Sequence, residues 1–213
     1  IFRPDISVGE QSTGGLNEPN VEWTETAKTL LNAELVKSDL TNKHNLTFLP
    51  DYNGEPGELV GDYTGLFEAV VLSVISHKLF AGNRLPTKKA QAGLDWSLGT
   101  GTQELRKLTG SEYGLFLFTD DSYGSGGRKA LQAVGMLGCI IGVCVSVSSG
   151  SHIGYAGLVD LTTGDLVWIN ADLKMGGDVR EADGAAKRIS QLLQGFPETA
   201  YTGPVAEPKF IVT

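Results

Sequence analysis

The chain has 213 residues, about 1.4 times a ~150-residue domain length, which fits one domain or one domain with an appendage. A 41% hydrophobic content against 20% charged residues excludes a disordered chain, and 28 glycines without a G-X-Y period indicate turns and close backbone approaches rather than collagen. Seventeen basic against 25 acidic side chains give a formal charge of -8, which argues against a broad nucleic-acid or anionic-lipid surface but allows a small local basic patch.

Residues 1–22 mix Pro4, Gly9, Gly14, Gly15 and Pro19 with polar residues and show no period, so an extended or mobile lead-in is expected. Residues 23–197 are expected to form a single α/β domain, with 198–213 as a C-terminal tail. A first helix is predicted over 23–37 from the spacing of Ala27, Leu30, Leu31 and Leu35. A short strand over 45–49 is followed by a turn-rich stretch, 51–57. From Gly65 a long helix carries Phe67, Val70, Val71, Val74, Ile75 and Leu79, with Asp62 as its expected cap. Residues 102–109 form a short helix ended by Gly110, and 113–119 read as a strand covered on both faces.

A glycine-rich break at 124–127 leads to helix-like residues 129–138. Val143, Val145 and Val147 then alternate with polar or small residues like a strand. The run 130–151 carries no charge. It reads as a buried helix passing into a strand, with a membrane-inserting or partner-binding role as the alternative. The clearest hairpin joins 155–161 to 166–170 through a turn in which Gly164 can take positive φ. Ala185, Ala186, Ile189, Leu192 and Leu193 mark the last amphipathic helix, stopped by Gly195 and Pro197. The predicted fold is α/β, a mixed β-sheet flanked by helices with a C-terminal hairpin and helix.

Gly124, Ser125, Gly126, Gly127, Arg128 and Lys129 lie between a strand and a helix, where backbone amides could bind an anion. They match neither nucleotide-binding glycine pattern, and a simple glycine turn is the competing reading. Asp120 and Asp121 could bind a cation or do acid/base work, but neighbours on a strand point to opposite faces, which favours solvated or capping roles. His44, His77 and His152 are far apart in sequence and form no metal-binding unit. Ser149, Ser151 and His152 supply a hydroxyl and a base without the G-x-S-x-G elbow. Cys139 and Cys144 read as small buried hydrophobes, because an apolar setting and the lack of a nearby histidine argue against a reactive thiol or a metal. Tyr52, Trp96 and Tyr123 stand in polar or glycine-rich loops and are candidate interface anchors as well as candidate core residues. No catalytic set, metal site or cofactor is expected.

Three stretches together, 105–117, the hairpin Gly157-Leu-Val-Asp-Leu-Thr-Thr-Gly-Asp-Leu-Val-Trp168 and the helix at 185–196, resemble the bacterial envelope lipoproteins with a TolB-N-terminal-like or CsgG-like α/β domain. The resemblance covers roughly residues 45–197. It implies an exported, lipid-anchored protein of the Gram-negative outer membrane that faces the periplasm. Such a protein would work through envelope partners or self-association, without a catalytic centre. The uncharged run around 130–151 and the unusual segment before Trp23 depart from the curli-type secretion subunit. Two other readings remain, a self-assembling secretion or pore component, and a hydrolase or nucleotide-binding protein that uses the Gly124 to Lys129 loop.

Overall fold

A computed structural model describes residues 1–79, 83–88, 94–140 and 150–198. The chain is mixed α/β, a five-stranded sheet in the order β2-β1-β3-β4-β5 with helices on both faces. The strands are β1 (Asp5–Gln11), β2 (Asn17–Pro19), β3 (Tyr113–Gly124), β4 (Ser151–Asp160) and β5 (Leu166–Asp172). β3 lies at the centre, parallel to β1 and antiparallel to β4. Alternation along β3 makes two cores. Leu115 and Leu117 face one layer, and Phe116 and Phe118 face the other.

The first layer holds α1 (Val21–Lys37) and α6 (Ala182–Leu192). Asn20 caps α1 by accepting from the Trp23 amide at 3.0 Å, and Ala27, Leu31 and Leu35 recur every four residues on its buried face. The second layer is α3 (Glu55–Val74), which buries Phe67, Val71 and Val74 and continues into a π-helical turn, Ile75–Leu79. By length and composition alone the helical stretch Glu55–Lys78 could cross a membrane, but here it covers the sheet. The short α2 (Leu40–Lys43) follows α1, and α4 (Gln103–Thr109) ends where Gly110 turns left-handed at φ 69°. Helix α5 (Gly126–Ile140) leaves the end of β3.

The β4–β5 hairpin closes through Gly164 at φ 83°, as its turn chemistry predicts. A register shift beside Val159 pairs Leu158 with Trp168 but Val159 with Leu166. The bulge thereby sends Leu166 to the α3 core while Trp168 stays on the α1/α6 side.

Four expectations are corrected. The supposed lead-in contains β1, whose Ile6 and Val8 are buried beneath α1, and β2 along with it. Residues 45–49 pair with no strand. Helix α3 starts at Glu55, ten residues before the expected Gly65, because Pro56 suits a first helical turn; Asp62 is therefore inside the helix. Helix α5 is not a buried helix over its described side chains, because Leu131 and Val134 are exposed. The strand expected around 143–147 and the tail beyond 198 lie outside the described residues.

Gly157 sits where the Phe67 ring, stacked on Phe116 at 4.8 Å, presses on β4. A Cβ there would lie 2.6 Å from Phe67 Cε2, and the enclosed ring has nowhere to move. Gly157→Ala should lower unfolding free energy by about 1–3 kcal/mol, measured by urea denaturation, without changing the secondary-structure spectrum.

Candidate functional site

The C-terminal end of β3 carries a buried polar cluster. Strand alternation turns Thr119, Asp121 and Tyr123 toward the α1/α6 layer and leaves Asp120 on the opposite face, which separates the two adjacent aspartates as the sequence suggests. Asp121 and Arg188 of α6 are both fully enclosed. The guanidinium grips the carboxylate with Nη1 at 2.5 Å from Oδ2 and Nη2 at 2.7 Å from Oδ1. The Thr119 hydroxyl donates to Asp121 at 2.8 Å and accepts from Arg188. His152 Nδ1 lies 2.7 Å from Asp121 Oδ1, so this nitrogen carries the proton toward the carboxylate. Burial alone would raise the Asp121 pKa, but the bonds from His152, Arg188 and Thr119 together with the Arg188 charge hold it below the usual carboxylate value. A solvated or capping role for Asp121 is therefore corrected.

The His152 side chain is 27% exposed, and its ring lies 4.8 Å from that of Tyr123. Beside them Arg180 stacks over two aromatic faces, 3.8 Å from the Tyr123 centroid and 4.3 Å from that of Trp23. Asp178 holds Arg180 in place through two bonds, at 2.8 and 2.6 Å, and the same bonds bring the Asp178 carboxyl down to about 2. The Tyr123 hydroxyl accepts from the Val179 amide at 2.9 Å.

The arrangement could use His152 as a base oriented by a carboxylate, but Asp121 already has Arg188 as its counter-ion. Among the described residues no hydroxyl or thiol hydrogen-bonds the outer His152 nitrogen. Ser149 and Cys144 fall outside the described residues, as do all side-chain contacts of Cys139. His44 packs its ring on Phe196, and His77 bonds the Asn83 carbonyl at 3.0 Å; neither approaches His152 in a shared site. Among the described residues no group of three or more His, Cys, Asp or Glu side chains is placed to hold a metal ion.

The glycine-rich stretch is a tight strand-to-helix junction. Gly124 ends β3, Gly126 begins α5, and Ser125 caps the helix by accepting from the Arg128 amide at 3.2 Å. The Ser125 amide donates to the Gln11 carbonyl at 2.9 Å, and that of Lys129 to the Ser125 carbonyl at 2.9 Å. The Arg128 guanidinium turns back to the Thr13 carbonyl at 3.4 Å. Gly127 is pressed so closely on Thr13 that a Cβ would lie 2.4 Å from its hydroxyl. The candidate aromatics do not converge. Tyr52 lies beside the start of α3, Trp96 packs on the α3 core and its backbone carbonyl accepts from the Leu166 amide at 2.9 Å, and Tyr123 alone stands at the polar cluster. Sequence reasoning missed Trp23, Arg180 and Arg188. Of these only Arg188 left a signal, as a lone cation on the apolar stripe of α6.

A carboxyl pair lies on the other side of the sheet. Partial burial of Glu68 on α3, together with the neighbouring Asp5 carboxyl, raises the Glu68 pKa from 4.5 to about 7. The folded protein thus holds this proton more tightly than the unfolded chain. The stabilisation is fully present below about pH 4.5 and is lost as pH rises through about 7. Glu68→Gln should raise Tm at pH 8, by about 2 °C on the usual scaling for a chain of this size, and leave it nearly unchanged at pH 4. Calorimetry at the two pH values reads the difference.

Arg188→Met should cost about 3–5 kcal/mol, because Asp121 would remain buried without its counter-ion. Adding Asp121→Leu should recover much of that loss in chemical denaturation, whereas additive losses would show that the pair does not act as a unit.

Comparison of the chain with protein-family models, curated proteins and solved structures found no match.

Proposed function

We propose that this chain is a non-catalytic, periplasm-facing lipoprotein domain that acts through protein contacts in an envelope transport or assembly complex. A lipid anchor would hold it at the outer membrane. The compartment is supported by the resemblance of the 157–168 hairpin and its flanking helices to TolB-N-terminal-like and CsgG-like envelope domains. The contact role is carried by one observation, the partly exposed Trp23, Arg180 and Tyr123 stack at the end of the sheet.

Tryptophan, tyrosine and arginine are the side chains that most often dominate binding at interfaces, because they combine large apolar area with a directional polar group. Here the stack is already assembled. Asp178 fixes the Arg180 fork, and the Val179 amide fixes the Tyr123 hydroxyl. A partner that docks on it need not order these side chains, so less binding energy is spent on lost rotamer freedom.

The mature protein, extracted from envelopes in mild detergent, should run as a discrete species heavier than one chain. Arg180→Ala should shift it toward the monomer mass while Tm stays within about 2 °C of wild type. A lone wild-type monomer under gentle extraction would sink the contact reading.

A further inference from the structure

Helix α5 differs from α1, α3 and α6 in its described side chains. Neither core contains a described α5 side chain. Leu131 is 46% exposed and Val134 66% exposed, and beyond Lys129 the sequence carries no charge through Ser151. Departure and return are held at one point. Gln11 of β1 accepts from the Ser125 amide through its carbonyl at 2.9 Å and from the Gly150 amide through its side chain at 3.0 Å. Ser125 and Gly150 are thus both tied to the same residue at the end of β1.

The charges around the helix indicate what it meets. Arg128 and exposed Lys129 stand in its first turn, followed only by uncharged residues, so cations precede an apolar shaft. Such an order matches a phospholipid surface, where phosphate groups overlie hydrocarbon and a lysine can keep its ammonium at phosphate level above a buried stem. One more exposed apolar side chain flanks the same end, Leu16 in the turn beside Arg128. The formal charge of -8 rules out long-range attraction to an anionic membrane, so the contact is driven by apolar burial with local cation–phosphate pairing.

We infer that the exposed face of α5 inserts into the phospholipid surface, with Leu131 and Val134 below the headgroups and Lys129 among the phosphates. This goes beyond the contact role of the Arg180 stack and uses different residues. It can be tested with the full chain and vesicles of phosphatidylethanolamine and phosphatidylcholine at physiological salt. Val134→Trp should be quenched by lipids brominated near the top of the acyl chains, and the wild type should float with the vesicles. Leu131→Glu with Val134→Glu should reduce flotation at least tenfold with an unchanged far-UV spectrum, since neither position belongs to a core. A Val134→Trp protein that stays unquenched, or that buries the new indole in a lipid-free oligomer, would overturn the inference and make this face a protein interface. The acidic double variant also separates the two readings. If it loses vesicle binding but keeps the heavier envelope species, membrane insertion and partner docking are distinct. Loss of the heavier species in Arg180→Ala alone would touch only the docking role.

Discussion

Arg188 reaches from α6 to a carboxylate on the central strand, and both charges are wholly enclosed. Removing two ions from water costs several kcal/mol each, and the attraction between them offsets that cost only with good geometry and further hydrogen bonds. Here Asp121 receives both forks of the guanidinium, the Thr119 hydroxyl and His152. The apolar stripe of α6 is attracted to the sheet without direction, and it could slide along it at modest cost. A two-pronged ion pair has one geometry, so it sets the position of the helix on β3. The same helix then offers its last carbonyls to Asn170 of β5, at 2.6 and 3.0 Å. Through one helix, the central and edge strands are held in register, and α1 packs against that helix in turn.

The opposite face of β3 solves its packing without ions. Phe2 and Phe67 both stack on Phe116, at 4.3 and 4.8 Å, and Phe118 stacks on Tyr155 at 4.5 Å. Bare backbone at Gly157 lets the Phe67 ring approach the sheet. The carboxyls that accompany this face, Asp5 and Glu68, lie at the rim beside the aromatic layer. Adjacent Asp120 and Asp121 show the contrast most directly. One step along the strand separates a partly exposed carboxylate from one locked in a buried network.

Elements whose own side chains repeat with the right period were legible from sequence. These are α1, α4, α6, the central strand and the 155–170 hairpin, where the turn residues also agree with the geometry. Strand β1 was not, because only Ile6 and Val8 alternate among polar residues and the central strand β3 on which it pairs is more than a hundred residues away. The 45–49 segment has strand-like residues but no neighbour to pair with, and residue type alone cannot supply one. The early start of α3 was masked because glycines and prolines suggest turns, although a proline in a first helical turn lacks only an amide that would be unpaired there. The site was harder still. Asp121, His152 and Arg188 meet only through the fold, and no spacing rule encodes their meeting. The arginine on an otherwise apolar helical stripe was the one visible sign, since a cation at such a position requires a buried partner.

The junction after β3 follows a different logic from the rest of the chain. In the two cores, apolar side chains recur where a layer covers them, as along α1 and β3. At Ser125 the hydrogen bonds that secure the backbone go to the departure point itself, and Gln11 serves both departure and return. Because both cores close without the described side chains of α5, acidic changes at Leu131 and Val134 are expected to leave the domain folded. A helix uncharged beyond its first turn and held this way gives the molecule exposed apolar area, which costs free energy in water for as long as it is uncovered. The two basic residues at its base place the only charges of that helix where a phospholipid surface begins. Anchoring at one end, apolar exposure and a cationic collar therefore belong to a single arrangement, in which the sheet supplies a rigid mount and the helix supplies the contact.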